Sequence, residues 1–375
     1  MKKENLENIE QLNLMDSAPG AKTVINGKEY NYFGGTSYYE LHKNEEVINS
    51  AVNALLKYGI NSSSSRSSYG TTQLLIDVEK EAADFFHCED AVYLSSGFLT
   101  DLAAMQAFLN KNMFDAIFID ENSHYSNEYA ARLSGKPIHK FMHLSEADLE
   151  EKISKNLEQG QKPLIITDGI FPIFGKIAPI DKYSGIVEKY NGTLWVDDAH
   201  ALGVIGKNGR GTFEHFGLTS DRFYFGGTLS KAFGGFGGII PGDRKFIDEI
   251  KNSQIQNGTT PPPSSAAAAS LKGLKLLKEN PEMRIKLWEN AVRLKNGLRN
   301  LGIEVEDTNV PIVAWTMNTK LEMQKFQHEL MKQNIVIQYM QYVGAEEKGA
   351  LRIVVFSTHT NNQIEKLIYE LNKIL

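Results

Sequence analysis

The 375-residue sequence predicts an α/β protein with a mostly parallel central sheet in a large domain and a smaller α+β domain after it. Between residues 91 and 228, short apolar runs alternate with helix-like segments, as in a parallel sheet covered on both faces. Three prolines follow at 261–263, where neither a helix interior nor a central strand can continue. The last third combines strand-like runs with flanking helices, which is typical of a small α+β unit.

Composition indicates a compact soluble protein, because 42% of the residues are hydrophobic and 23% are charged. The net charge of −6 comes without a long run of one sign, so we predict no nucleic-acid partner. One cysteine, Cys88, excludes an intramolecular disulfide and a cysteine-based zinc site, and we predict no metal. No apolar run approaches the ~20 residues of a membrane span, and no signal-type segment is present, so we predict a cytoplasmic protein.

Local patterns predict the first elements in chain order. The run GKEYNYF at 27–33 predicts a short strand. Apolar residues recur at helical spacing from Glu45 to Tyr58, and Gly59 favours a helix end there. The stretch NSSSSRSSYGTT at 61–72 predicts irregular backbone, because serine side chains compete for backbone hydrogen bonds.

Short apolar runs predict the strands of the central sheet, with helices after Gly97 and His124. These runs are AVYL at 91–94, AIFI at 116–119, PLIIT at 163–167, TLWV at 193–196 and FYF at 223–225. The stretch PPPSS at 261–265 is expected to lie outside a helix, with an Ala-rich helix from Ala266.

The remaining chain predicts strands at 311–317, 334–340 and 351–356, a helix from Lys320 to Lys332, and a last helix through Ile364 to Leu375. On this pattern we predict three units. They are an N-terminal arm at 1–44, a large domain at 45–260 and a small C-terminal domain at 261–375.

Polar residues follow the strand TLWV, in the sequence Asp197, Asp198, Ala199, His200. Ligands of open α/β sheets bind outside the carboxyl ends of the strands, so an acid here can hold a cationic ring nitrogen and the imidazole can bind a neighbouring oxygen. Helix N-capping by the two acids is the alternative. Motifs of P-loop NTPases, dinucleotide-binding folds, zincins and esterases are absent.

Two other strand ends carry candidate ligand-binding residues. Ser96, Gly97 and Phe98 lie between a strand and a helix, whose first N–H groups form an anion site; an ordinary turn is the alternative. His124 follows another strand and can stack on a flat ligand or exchange protons; an exposed loop histidine is the alternative.

A lysine without a nearby acid lies in GGTLSKAFGG, at 226–235. The amine of Lys231 can hold an aldehyde as a Schiff base if its surroundings lower its pKa. Thr228 and Ser230 offer hydroxyl groups to a phosphate. A surface lysine in a glycine loop is the alternative.

Together these residues fit one ligand. Lys231 can react with an aldehyde, and Asp197 can pair with a pyridinium nitrogen. Gly97 and Thr228 can bind a phosphate, and His124 can stack on a flat ring. Pyridoxal 5′-phosphate (PLP) contains all four groups, and its usual protein partners are a Schiff-base lysine and a carboxylate on the ring nitrogen.

The motifs SSGF, TDG, DDAHALGVIG and GTLSKAFGG, in this order, resemble the α-oxoamine synthase family of fold-type-I PLP-dependent enzymes. Members include 8-amino-7-oxononanoate synthase and 2-amino-3-ketobutyrate CoA ligase. The resemblance implies an aspartate-aminotransferase-like fold. It also implies a decarboxylating condensation of a small amino acid with an acyl thioester, on CoA or a carrier protein, to give an α-amino ketone.

The resemblance also implies roles for individual residues. Lys231 forms the Schiff base and carries the α-proton, Asp197 pairs with the ring nitrogen, His200 with the ring hydroxyl, and His124 stacks on the ring. Ser96, Gly97, Phe98, Thr228 and Ser230 lie near the phosphate, and Thr259 reaches it from a second subunit, which implies a homodimer with a shared site. Arg352 binds the substrate carboxylate; a buried ion pair is the alternative.

The chain departs from the family pattern at the substrate end. The departures are GGTSYYEL at 34–41, Leu75 in place of a histidine, PIFGK at 172–176, and QYMQYVGAEEKG at 338–349 in place of a proline-rich segment. They leave the amino acid and the acyl donor open, with a carrier-protein thioester as one hypothesis. An aminotransferase or C–C lyase on the same fold, and a non-catalytic PLP-fold binding protein, remain the alternatives.

Overall fold

The computed structural model describes residues 13–345 and 347–375. Its helices are α1 (Glu45–Tyr58), α2 (Gln73–Phe86), α3 (Phe98–Asn110), α4 (Tyr125–Leu133), α5 (Glu146–Asn156), α6 (Ile180–Lys189), α7 (Thr212–Phe216), α8 (Arg244–Lys251), α9 (Gln254–Gly258), α10 (Ser264–Glu279), α11 (Glu282–Asn300), α12 (Lys320–Lys332) and α13 (Asn361–Ile374). A short 3₁₀ helix covers Leu41–Lys43.

The strands are β1 (Lys22–Ile25), β2 (Lys28–Tyr32), β3 (Asp90–Leu94), β4 (Ala116–Asp120), β5 (Ile138–Phe141), β6 (Pro163–Asp168), β7 (Thr193–Asp197), β8 (Phe223–Thr228), β9 (Gly238–Gly242), β10 (Ile312–Trp315), β11 (Ile335–Val336), β12 (Gln338–Met340) and β13 (Ala350–Val354). None of the helices in the described ranges is long and apolar enough to span a membrane.

The central sheet has the strand order β3-β9-β8-β7-β6-β4-β5. Strands β4 to β8 run parallel, while β9 runs antiparallel to its neighbours β3 and β8. Every residue of β4, β6 and β7 is buried, as expected for apolar strands covered by helices on both faces. The predicted fold class, α/β with a mostly parallel central sheet, is therefore confirmed.

Two strands of this sheet were not predicted from the sequence. Strand β5 contains His139 and Lys140, which interrupt the apolar pattern at the edge of the sheet. Strand β9 contains Pro241 and two glycines, residues that disfavour a strand interior. The sheet nevertheless accepts Pro241, which lies opposite Ala91 in the antiparallel pair with β3.

The start of α10 corrects one boundary. Ser264 and Ser265 were expected outside a helix, but α10 begins at Ser264 with Pro263 at its N-cap. Proline suits this place, because the missing N–H has no partner in the first turn of a helix and its fixed φ angle is helix-compatible.

The C-terminal third forms a three-stranded antiparallel sheet, β10-β13-β12. Its core is shared with α11, α12 and α13 through residues such as Leu294, Phe326, Ile353 and Leu367. Strand β2 of the predicted N-terminal arm pairs in parallel with β11. Residues 1–12 of that arm lie outside the described residues, and the three-unit division stays a prediction.

The topology brings the ends of separate strands to one edge of the sheet. Strands β4, β6, β7 and β8 are parallel neighbours, so their last residues, Asp120, Asp168, Asp197 and Thr228, all lie at this edge. Helix α10 packs against the loop that follows β8, at Phe233. The helix can approach because position 273 is a glycine whose added Cβ would overlap the carbonyl oxygen of Phe233.

This close approach predicts that Gly273→Ala destabilises the protein. Alanine normally favours a helix by about 1 kcal/mol, but the overlap with Phe233 should reverse the sign and lower the free energy of unfolding by about 1–3 kcal/mol. Gly185→Ala in α6 is the matched control, since an added Cβ there meets nothing within 4 Å. Urea unfolding measures both; equal or greater stability of Gly273→Ala would contradict the packing.

Candidate active site

A cavity of about 290 Å³ lies at the carboxyl edge of the central sheet. Its lining residues come from the ends of β6, β7 and β8, from the starts of α3 and α4, and from the segment before the 3₁₀ helix. They are Thr36, Gly97, Phe98, His124, Ser126, Asp168, Asp197, Ala199, His200, Thr228, Ser230 and Lys231. The structure therefore brings together eight residues that the sequence singled out separately.

Lys231 projects into this cavity from the loop between β8 and β9. Its amine has no hydrogen-bond or ion-pair partner within the described residues. Burial lowers the pKa of Lys231 to about 8, and the negative charges of Asp197 and Asp168 oppose the shift only in part. The neutral form of this amine, which is the state that a nucleophilic amine requires, is thus far more populated near physiological pH than in an ordinary lysine.

The two neighbouring acids after β7 have different roles. Asp197 lines the cavity, and its Oδ1 accepts a hydrogen bond of 2.9 Å from the Ala199 N–H. Asp198 instead accepts hydrogen bonds from the Thr212 N–H, at 2.8 Å, and from the Thr212 hydroxyl at the start of α7. The N-cap residue of α7 is Gly211, so Asp198 binds the start of this helix without being its N-cap residue, while Asp197 stays available to a ligand.

Further buried carboxyl groups surround Asp197. Burial raises the pKa values of Asp101 and Asp168, and the negative charge of Asp197 raises both further. Asp101 accepts a hydrogen bond from the Trp195 indole at 2.9 Å. A buried cluster of carboxyl groups is stable only with protons or cations close by. A protonated pyridine ring beside Asp197 fits this requirement.

Both histidines of the cavity are neutral. Burial lowers the pKa of His200 well below its usual value, and the nearby Lys231 and Arg352 charges lower it further. Its Nδ1 lies 2.9 Å from the hydroxyl of the buried Tyr38. Burial also lowers the pKa of His124.

His124 is held at three atoms. Its backbone N–H donates to Asp168 at 3.0 Å, its Nδ1 accepts the Ser126 N–H at 3.3 Å, and its Nε2 lies 2.7 Å from the Tyr342 hydroxyl. The ring caps the start of α4. His124 is therefore a fixed group of the cavity wall rather than an exposed loop histidine.

The end of the cavity that is lined by Gly97, Thr228 and Ser230 suits a phosphate. Helix α3 begins directly after Gly97; the N–H groups of Gly97 and Phe98 have no partner among the described residues, while those of Leu99 and Thr100 donate to the Ser96 and Gly97 carbonyls. A Cβ added at Gly97 would lie 2.9 Å from Cβ of Thr228, so only glycine leaves room there. The Thr228 hydroxyl accepts the Ser230 N–H at 3.1 Å and lies at the same end. These features fit the phosphate of PLP.

Three predicted site residues, Ser96, Thr259 and Arg352, lie outside the cavity lining. Ser96 belongs to the turn before Gly97. Thr259 follows α9, and its hydroxyl donates to the Ile255 carbonyl of the same chain. Its predicted contact with a second subunit stays a prediction.

Arg352 is buried on β13, where Nε donates to the Pro172 carbonyl at 2.7 Å and Nη1 donates to Gln338 at 2.9 Å and to the Gly35 carbonyl at 3.2 Å. Among the described residues no carboxylate pairs with Arg352. Its guanidinium is close enough to lower the pKa of Lys231. A positive group without a negative partner can receive a substrate carboxylate.

Sequence reasoning missed several residues of the site. Tyr38 and Tyr342 bind the two histidines, and both belong to segments that depart from the family pattern. Asp168 ends the buried strand β6, and an acid after an apolar run was a signal that could have identified it. Ser126 and Thr36 carry no comparable signal.

Comparisons with known proteins agree with this geometry. Residues 35–371 match the family described as aminotransferase class I and II. The chain is 34% identical over 363 residues to an 8-amino-7-oxononanoate synthase of Thermosipho melanesiensis, covering 96% of this chain and 92% of the relative. It is 30% identical to an 8-amino-7-oxononanoate synthase of Petrotoga mobilis, covering 99% and 96%.

Solved structures show the same fold. A serine palmitoyltransferase of S. paucimobilis, solved with bound PLP and myriocin, superposes with a TM-score of 0.90 at 24% identity, covering 97% of this chain and 92% of that one. An 8-amino-7-oxononanoate synthase of Francisella tularensis gives a TM-score of 0.77 at 25% identity, covering 91% and 96%. The first similarity supports the fold alone.

The lowered pKa of Lys231 predicts how the ligand-free protein reacts with added PLP. The reactive form is the neutral amine, so the rate of Schiff-base formation should rise with pH and reach half its maximum near the pKa of about 8. Stopped-flow absorbance between pH 6 and about 10 measures it, with Lys231→Ala as control. A rate that rises only near the ordinary lysine value of 10.5 would contradict the shift.

Proposed function

Because the chain belongs to the α-oxoamine synthases of the aminotransferase class I and II family, whose cofactor is PLP, we propose that it condenses a small amino acid with an acyl thioester. The carboxyl group of the amino acid leaves as carbon dioxide, and the product is an α-amino ketone. We further propose that the protein acts as a cytoplasmic homodimer. The single observation that carries the proposal is the Lys231 amine, which lines the same cavity as Asp197 at the carboxyl edge of the sheet and has no partner among the described residues.

Each cavity residue has a defined task in this proposal. When bound, PLP supplies an electron sink that stabilises negative charge at the α-carbon of the amino acid. Asp197 holds the proton of the ring nitrogen, which maintains that sink. Lys231 accepts the α-proton as a neutral amine. His124 and His200 are neutral, so they orient the ring and its hydroxyl without adding charge.

Arg352 is proposed to bind the carboxylate of the amino acid. Its guanidinium is buried, it is held by two backbone carbonyls and Gln338, and its Nη2 makes no hydrogen bond to the described residues. A carboxylate fits the fork of a guanidinium, and burial strengthens the attraction because the dielectric constant is low.

The homodimer is supported by an apolar surface on the outer face of α1. Its exposed members are Ile48, Val52, Leu55 and Leu56, and Ile60 and Tyr69 follow in the next segment, with 80% of Leu56 and 94% of Tyr69 exposed. Apolar patches of this kind usually mark a contact with another protein. We propose that a second copy covers this face and that its Thr259 reaches the phosphate end, as the family resemblance implies.

The function is tested by mixing the PLP-loaded protein with glycine, alanine or serine and an acyl-CoA or acyl-carrier thioester. We expect carbon dioxide and free thiol in equal amounts. Transfer of the amino group to a keto acid without thiol release would support the aminotransferase alternative. Binding of PLP without either reaction, for all donors, would support the non-catalytic alternative.

Arg352→Lys tests the carboxylate site. Lysine keeps the charge but loses the guanidinium fork, so the KM for the amino acid should rise roughly 10- to 100-fold, equivalent to about 1.5–3 kcal/mol. Arg293→Lys is the control, because the side chain of Arg293 is 45% exposed and pairs with Glu365 at 3.4 Å. Thermal unfolding verifies that both variants fold. Equal KM values in the two variants would remove Arg352 from the substrate site.

The shared site predicts complementation between two inactive variants. Lys231→Ala and Thr259→Ala are co-expressed with different affinity tags, and the mixed dimer is purified. One of its two sites then combines an intact Lys231 with an intact Thr259, so the mixed dimer should regain about half the activity of the normal dimer. A mixed dimer as inactive as Lys231→Ala would contradict the shared site.

A further inference from the structure

A tyrosine outside the predicted site binds the ring that faces the cofactor position. The Tyr342 hydroxyl lies 2.7 Å from Nε2 of His124. Tyr342 belongs to the segment 341–349 between β12 and β13, and its ring packs edge-on against Tyr125 at 5.4 Å between centroids. It also packs against the buried apolar cluster of Ile173, Ala314 and Ala350. The cluster fixes the ring of Tyr342, so its hydroxyl has a defined position.

Both ring nitrogens of His124 have hydrogen-bond partners. Nδ1 lies 2.6 Å from the Ser126 hydroxyl and 3.3 Å from the Ser126 backbone nitrogen, and Nε2 lies 2.7 Å from the Tyr342 hydroxyl. The imidazole is neutral, because burial lowers its pKa and the Lys231 charge adds to this effect, while Asp197 opposes it. A neutral imidazole holds one proton, and each of its nitrogens faces a hydroxyl group that can donate or accept, so the two hydrogen bonds together select the tautomer.

We propose that Tyr342 is a positioning residue that holds His124 in one tautomer and one ring orientation. This inference rests on the proposed PLP-dependent function, in which His124 lies against the cofactor ring. The terminal torsion of a histidine side chain is soft, so hydrogen bonds at both ring nitrogens are needed to fix the plane of the ring. Through this bond the segment 341–349 is tied to the cofactor side of the cavity.

Tyr339, on the adjoining strand β12, provides a matched control. Its hydroxyl donates to the Lys348 carbonyl at 2.9 Å, so it stabilises the segment locally without reaching His124. Tyr342→Phe and Tyr339→Phe each remove one hydroxyl and keep the ring. A difference between the two variants therefore reports on the bond to His124 and not on a general loosening of the segment.

The first measurement is ¹⁵N NMR of the PLP-loaded protein labelled at histidine, with His124 assigned by His124→Asn. We expect the signal of His124 to show a single tautomer in the unmodified protein and in Tyr339→Phe, and a mixture of tautomers in Tyr342→Phe. An unchanged His124 signal in Tyr342→Phe would overturn the proposal. This measurement does not depend on the reaction, so it remains decisive if the proposed condensation fails.

The second measurement is a double-mutant cycle on the affinity for alanine, followed by the visible absorbance of bound PLP. We expect Tyr342→Phe to weaken binding about five- to tenfold when His124 is present, as for one lost buried hydrogen bond. In the His124→Phe background the same change should have no effect. An equal loss in both backgrounds would show that Tyr342 does not act through His124.

Discussion

The site depends on the balance at the Lys231 amine between burial and the negative charge of nearby carboxyl groups. Burial favours the neutral form of Lys231, while Asp197 and Asp168 favour the charged form, and burial is the larger effect. The fold creates this balance by ending parallel strands at one edge and placing the lysine loop across it. The loop keeps its position because α10 approaches it at Gly273.

The negative charge of the site is arranged in two parts. Asp198 accepts two hydrogen bonds from Thr212 at the start of α7 and is therefore not free to bind a ligand. Asp197 keeps its carboxylate towards the cavity, and the raised pKa values of Asp101 and Asp168 show that the cluster cannot hold three full negative charges. A cationic ring therefore stabilises the site, and cofactor binding and site electrostatics depend on each other.

Local patterns were sufficient for much of the fold and for part of the site. The helices Glu45–Tyr58 and Lys320–Lys332 were predicted with the bounds that the structure has, because apolar spacing marks these helices and their ends. Strand β9 was missed because Pro241 and two glycines disfavour a strand locally. The segment is a strand because it pairs with its neighbours in the sheet. Tyr38 contacts His200 across 162 positions of sequence, and Tyr342 contacts His124 across 218. Both tyrosines were missed because a local sequence pattern does not show which distant residues meet in the fold.

The central claim is that Lys231 is the amine that holds the cofactor. Lys295 is a stringent comparison, since burial also lowers its pKa to about 8, but its amine donates to the Thr308 carbonyl and hydroxyl at 2.9 and 2.7 Å. Reduction of the PLP-loaded protein with borohydride, followed by peptide mass spectrometry, identifies the lysine that carries the cofactor. We expect the pyridoxyl group on Lys231 alone; its attachment to Lys295 or to a surface lysine would contradict the claim.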